Sequence, residues 1–365
     1  MARALVKMKA CCCRPSSSSS SSASNPGETS SRRAASTAAE QTSPDRLDQP
    51  RSPLSRQQKQ KQQQQQRPSR QSSQEAPGDK RGSSFSQDNK SFRLDFSHQK
   101  LSDIPSLVYT YERILEELCV ESNSIQELPR QLFAHCKQLK RLLLADNDIQ
   151  SIPAAIGNLS HLELLNASKN QISQVPDEIK RCRQLNSLDL SVNPLGKLAD
   201  GLMHLAKLQE LYLNDTYLDF VPANIGRLVE LRVLEMREND LKTLPKTMAR
   251  LVNLKRLDLG QNDLLQVPEV LGNMSSLQEL WLDQNQIQLL PEFLGKLKQL
   301  EYLDVSKNAI SLVEPDFFRC LQMRDLILSS NNLEHIPSTL CQLEQLNSLK
   351  LDDNEMIDLP QELGK

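Results

Sequence analysis

One phrase recurs at a fixed spacing of 23 residues, and that spacing commits the chain to a stack of like units rather than a globule around one centre. It reads Leu208-Gln-Glu-Leu-Tyr-Leu-Asn-Asp-Thr216, and returns as Leu231 to Asn239, Leu254 to Asn262, Leu277 to Asn285 and Leu300 to Asn308. Its last position is filled by Asn123, Asn147, Asn170, Asn193, Thr216, Asn239, Asn262, Asn285, Asn308, Asn331 and Asn354, spaced 24 residues once and 23 thereafter. A degenerate unit from Phe92 to Leu101 places Gln99 in that slot and reads as an end cap.

Each position of the period has a physical cause. The alternation in LxL points two side chains inward and those between them outward, as in a short strand. The Asn amide can satisfy backbone groups where the chain turns away, and stacking repeats that device as a ladder. A Leu/Ile/Val-Pro step follows at Ile104-Pro105, Leu128-Pro129, Ile152-Pro153, Val175-Pro176, Val221-Pro222, Leu244-Pro245, Val267-Pro268, Leu290-Pro291, Ile336-Pro337 and Leu359-Pro360. Proline there suits a short helical turn. Ala199 and Glu314 replace it in two units, where a locally different turn is expected. The LxxLxLxxN phrase is that of a leucine-rich repeat. The expected class is α/β: a curved solenoid with a parallel concave sheet and a short helical or irregular convex side, preceded by a disordered tail.

Composition supplies the tail. Residues 1–90 hold 16 Lys/Arg and 7 Asp/Glu, and residues 91–365 hold the remaining 28 and 39. From Pro15 to about Asp88 the chain is Ser, Gln, Arg, Lys, Pro and Ala, with no aromatic before Phe85, so it cannot bury enough apolar surface to offset its ordering entropy. Ser43-Pro44 and Ser52-Pro53 are phosphorylation candidates in an otherwise solvated arm. No aromatic interleaves with the tail's cations to stack bases, so nucleic acid is not an expected partner. The resulting division is 1–14, a cysteine-bearing lipid-anchor segment; 15–90, the tail; 91–114, a cap repeat; and 115–365, about eleven repeats with the last cut short.

Cys11, Cys12 and Cys13 sit between Lys7, Lys9 and Arg14, a setting that suits S-acylation at a membrane surface. An unmodified thiol cluster or a metal-binding trio is the alternative, although three adjacent residues make a poor tetrahedral site. Cys136, Cys182 and Cys320 occupy core-leucine positions and read as small apolar residues. No run of 18 apolar residues and no uninterrupted signal-peptide core occurs, and the expected location is the cytoplasm and the cytoplasmic side of the plasma membrane. Sequons at Asn158, Asn166, Asn214 and Asn273 are then chance occurrences.

The outward strand row runs Cys119, Leu143, Asn166, Asp189, Tyr212, Glu235, Asp258, Trp281, Asp304, Ile327 and Lys350, with rungs roughly 5 Å apart. Tyr212, Glu235, Asp258, Trp281 and Asp304 are consecutive, and Asp215, Arg237, Glu238 and Asp283 lie beside them. A solvent-facing Trp among carboxylates reads as a protein-binding patch for a basic or amphipathic peptide. No P-loop, GxSxG or HExxH pattern occurs, and His161 and His204 fall at matching surface positions. No catalytic group, cofactor or metal is expected.

The wording of the repeats resembles a narrower family. Leu211-Tyr-Leu-Asn-Asp215, Val221-Pro-Ala-Asn-Ile-Gly-Arg-Leu228, Leu234-Glu-Met-Arg-Glu-Asn239, Leu244-Pro-Lys-Thr-Met248, Arg256-Leu-Asp-Leu-Gly260, Val267-Pro-Glu-Val-Leu271 and Tyr302-Leu-Asp-Val-Ser-Lys-Asn308 are similar to the repeats of the LAP family (leucine-rich repeat and PDZ), in its Erbin/Densin-like branch, related to Scribble and Lano. The resemblance covers residues 91–365. It implies a non-enzymatic scaffold at basolateral or junctional membrane, with acylated cysteines near its start and polarity or receptor proteins as partners. The long Ser/Gln-rich insert departs from the family pattern. The chain ends within a repeat, so a parent with further repeats and a PDZ domain is expected. A Ras-pathway repeat adaptor, with small-GTPase-pathway partners, is the second reading. A targeting module for an enzyme beyond Lys365 is the third.

Overall fold

The computed structural model describes residues 92–364. Cys11–Cys13, Ser43 and Ser52, and with them the expected lipid anchor and phosphorylation sites, lie outside the described residues.

Two strands open the sheet, β1 (Phe92–Asp95) and β2 (Leu115–Cys119). Three-residue strands then follow one per repeat: β3 (Arg141–Leu143), β4 (Leu164–Asn166), β5 (Ser187–Asp189), β6 (Glu210–Tyr212), β7 (Val233–Glu235), β8 (Arg256–Asp258) and β9 (Glu279–Trp281). A two-residue strand β10 (Leu289–Leu290) precedes β11 (Tyr302–Asp304), and β12 (Leu312–Val313) precedes β13 (Asp325–Ile327) and β14 (Ser348–Lys350). Twelve of these form one curved, all-parallel sheet in chain order, and β10 pairs with β12 in a second. The inner leucines make a continuous core: Leu254, Leu257 and Leu259 of one rung are fully buried, as are Leu277, Leu280 and Leu282 of the next. Cys136, Cys182 and Cys320 are buried among them, and burial pushes their thiols up to about 11, 12 and 12.

The asparagines form the ladder that the spacing implies. Asn262 accepts the Leu241 amide at Oδ1 (3.1 Å) while Nδ2 donates to Met236 O and Leu259 O (both 3.0 Å), tying three backbone groups of two rungs. The residue before each ladder position, from Ser122 to Asp353, sits in the left-handed region with φ of 53–59°. That conformation costs a non-glycine residue about 1–2 kcal/mol, and the ladder's buried bonds offset it.

The ladder breaks at Thr216. Its Oγ1 donates to Leu213 O (2.8 Å) and cannot supply the amide carbonyl that Ile172 N, one rung earlier, takes from Asn193 (2.9 Å). The preceding turn closes on itself instead: Leu195 N donates to Asn193 O (2.9 Å), and Gly196 N, at φ 66°, to Thr216 O (3.0 Å).

The convex side opens with two short α-helices, Leu107–Thr110 and Arg130–His135, and then carries 3-10 helices of five residues up to the four-residue Gln361–Gly364; in most repeats the expected proline stands before the first residue in extended conformation. The substitutions there leave the helices unchanged. Ala199 (φ −71°, ψ 142°) and Glu314 (φ −69°, ψ 137°) take the prolines' conformation, and Asp200–His204 and Pro315–Arg319 keep the usual length. The difference at Glu314 lies before the helix. Having an amide where proline has none, it donates to Leu290 O (3.0 Å) beside the β10–β12 ladder.

Candidate functional site

The row expected on the concave face is there, since β6, β7, β8, β9 and β11 place Tyr212, Glu235, Asp258, Trp281 and Asp304 in register. The residues two positions earlier in each strand share that face, because alternation sends both outward. They supply the Trp281 partners that the single-row reading missed. The Tyr302 ring lies 4.8 Å from the indole, and the Arg256 guanidinium 4.4 Å from its centroid. Arg256 Nε stands 3.0 Å from Glu235 Oε1, and its Nη1 3.5 Å from Glu279. Trp281 is thus half-buried between an arginine and a tyrosine.

Asp258 and Asp283, expected to face solvent, are 7% and 6% exposed. Arg237 covers them, donating from Nη1 to Asp283 Oδ1 (2.9 Å) and from Nη2 to Asp283 Oδ2 (2.6 Å), with Nη1 3.4 Å from Asp258. The small residue Gly260 lets that side chain lie flat, since a Cβ there would meet Arg237 and Asp283. The hydrogen bond to Asp283 raises the Arg237 pKa, and burial raises that of Asp258. This cluster is a buried brace for the face and leaves little charge for a ligand. Cys119, also placed in the outward row, is 3% exposed, with Glu121 3.7 Å from its Sγ, and burial pushes its thiol up to about 11.

The other residues keep accessible positions. Glu238 is exposed, and Asp215 is half-buried; both occupy the left-handed row. Asp304, half-buried, accepts the Ser306 amide (2.9 Å). Three neighbouring strands therefore present the pairs Glu279/Trp281, Tyr302/Asp304 and Asp325/Ile327, an apolar side chain beside an acid in each. Burial raises the phenols of Tyr212 and Tyr302, so both stay neutral at ordinary pH. Such a surface can stack a guanidinium or ammonium on an aromatic face and neutralise it on a carboxylate. Arg256 already makes that contact from within the domain. His161 and His204 are exposed, and among the described residues no His, Cys, Asp and Glu cluster could hold a metal ion.

The comparisons agree with the repeat architecture. The family description "Leucine-rich repeat region" matches residues 197–322, and "Leucine rich repeat" matches 113–172 and 298–356. No curated protein matches the chain. Among solved structures, the ectodomain of the Arabidopsis receptor kinase HAESA, in complex with an N-terminally extended IDA peptide hormone, is 30% identical with a TM-score of 0.61, covering 73% of this chain and 46% of that one. The plant peptide hormone receptor RGFR1, in complex with RGF2, is 29% identical with a TM-score of 0.63, covering 72% and 44%. A leucine-rich-repeat protein of Leptospira interrogans is 29% identical with a TM-score of 0.53, covering 70% and 77%. The chain thus spans less than half the length of these two receptor structures.

These likenesses do not reach the LAP family specifically. They also overturn the expected cytoplasmic and junctional location, since the repeats resemble receptor ectodomains rather than cytoplasmic scaffolds. The expected location had leaned on the wording of the repeats, and period, ladder and core are common to these ectodomains as well, so that wording cannot carry a cytoplasmic assignment. Reading the sequons as chance rested on that location; Asn158 and Asn273 are exposed. Among the described residues no helix is long and apolar enough to cross a membrane. The described residues form a leucine-rich-repeat solenoid domain, similar to those of repeat-bearing receptors.

Proposed function

We propose that the domain is an adaptor module that binds a basic or amphipathic peptide segment of a partner protein on its concave face. The observation that carries this reading is the half-exposed Trp281–Tyr302 pair at 4.8 Å, set among Glu279, Asp304 and Asp325. Aromatic anchors ringed by charge are where binding energy concentrates at interfaces. HAESA and RGFR1 were solved with peptide ligands, which supports the same use here. Tyr212, Asp215, Glu235 and Glu238 extend the acidic surface on the N-terminal side, while Arg237, Asp258 and Asp283 hold its floor rigid.

A narrower role in polarity or receptor organisation has its support in the LAP-like phrases alone, as the Ras-pathway reading has in the repeat length. Lipid attachment is supported by the cations around Cys11, Cys12 and Cys13.

Trp281 is the only tryptophan in the chain, so its fluorescence reports the site directly. Titration with an arginine-containing amphipathic peptide should shift the emission and saturate. Trp281→Ala with Glu235→Lys, followed by calorimetry, should weaken binding roughly 30-fold or more, the loss of one hot-spot residue. Unchanged affinity in that double variant, with the solenoid still folded, removes the concave patch as the binding surface.

A further inference from the structure

The flank between the ends of the convex helices and the starts of the strands carries charge opposite to that of the concave face. In four consecutive rungs it comprises residues 180–186, 203–209, 226–232 and 249–255, which together hold eight Lys/Arg and one carboxylate, Glu230. The repeat body as a whole has 28 basic and 39 acidic residues, so random placement would favour acid here. All eight cations are exposed. Among the described residues, none of them forms an ion pair with a carboxylate.

The side chains form a row. Arg181 lies back against Gly157 of the rung before, Lys207 Nζ donates to Gln184 Oε1 of its neighbour (2.6 Å), and Arg227 Nη1 stands 3.5 Å from His204 Nε2. Arg250 occupies the next rung. Rungs repeat at roughly 5 Å, giving a linear array of positive charge. A polar notch of about 600 Å³ opens in the same flank, lined by Glu163, Gln184, Asn186, Lys207, Gln209 and Glu230.

Going beyond the concave-face reading and independent of it, we infer that this flank binds a linear sulfated polysaccharide. Guanidinium and ammonium groups spaced along a ridge match sulfates spaced along a chain. The notch, where the amides of Gln184, Asn186 and Gln209 stand with the carboxylates of Glu163 and Glu230, offers donors and acceptors to sugar hydroxyls, which an acidic peptide would leave largely unused. The four segments contain no aromatic residue, so nucleic-acid bases would find nothing to stack on.

The test is amine-reactive labelling of the full chain, with and without a heparin oligosaccharide, read lysine by lysine by mass spectrometry. Lys180, Lys207 and Lys255 should be protected, high salt should abolish the protection, and fully desulfated heparin should give none. The variant Arg181→Gln, Arg227→Gln, Arg250→Gln, altered only at exposed positions, should melt as the parent does. It should lose that protection and bind roughly tenfold more weakly to this surface. Protection confined to tail lysines such as Lys59 and Lys61, or unchanged in the triple variant, overturns the site. Equal protection by polyglutamate or oligothymidylate at matched charge overturns the sulfated-polysaccharide assignment.

Discussion

Arg237 shows how one side chain decides what a row of acids can do. Its fork fixes Asp283 at two points and shields Asp258, so two carboxylates that a strand pattern sends outward end up under a guanidinium. Removing it should leave both charges buried without a partner. Arg237→Met is expected to destabilise the domain by about 2–3 kcal/mol at pH 7. The pH dependence has a definite sign. A carboxyl whose folded-state pKa is raised, as Asp258's is by burial, loses stability as pH rises through that pKa and regains it as pH falls below it. The deficit of the variant in urea denaturation should therefore shrink between pH 7 and pH 4. A deficit constant over that range would rule out buried charge as its cause.

Within an element, the glycines of the repeat separate close approach from conformational need. A Cβ on Gly226, in the 3-10 helix Ala223–Arg227, would collide with Thr247 O of the next helix, so Gly226→Ala must push two rungs apart. It should cost about 1–3 kcal/mol, the range for overpacking. Gly196 has nothing within 4 Å of such a Cβ, but its φ is 66°. There Gly196→Ala should cost only about 1–2 kcal/mol, through backbone conformation alone. Differential scanning calorimetry of the two variants reads both, and the effect of Gly196→Ala should vanish if Thr216 is also changed to Asn and the turn reverts to the common form. The legibility of the elements follows the same division. Strands, helices and ladder were readable because each needs one residue type at one spacing. The closed turn at Pro194–Gly196 was not, since it answers a threonine 20 residues away in sequence and one rung away in space.

At the scale of the whole molecule, stability resides in the contact of each rung with its neighbours, since no rung can bury its leucines alone. Leu257 is fully buried in the middle of the stack. Leu257→Ala should cost about 3 kcal/mol. If the continuous core couples the rungs, urea should still unfold the described repeats in one transition, moved to lower concentration. Two resolved transitions would show that the stack divides at that rung. Charge is also organised at this scale: the cations of the flank recur over four consecutive rungs, and a period of 23 residues carries that column of like charge from one repeat into the next.

By itself the sequence determined the solenoid, its parallel sheet, the ladder and the burial of Cys136, Cys182 and Cys320, because these depend on local period and on contacts repeated identically from rung to rung. It also placed Trp281 in the outward row, through its register. Only the tertiary structure decided which outward residues are available. Tyr302 and Arg256 reach Trp281 from adjacent strands, and Arg237 takes Asp283 from two rungs away, contacts that depend on side-chain length and on the space left by Gly260. A linear pattern fixes the face a residue points to. Which neighbour neutralises it there is settled only when the rungs are stacked.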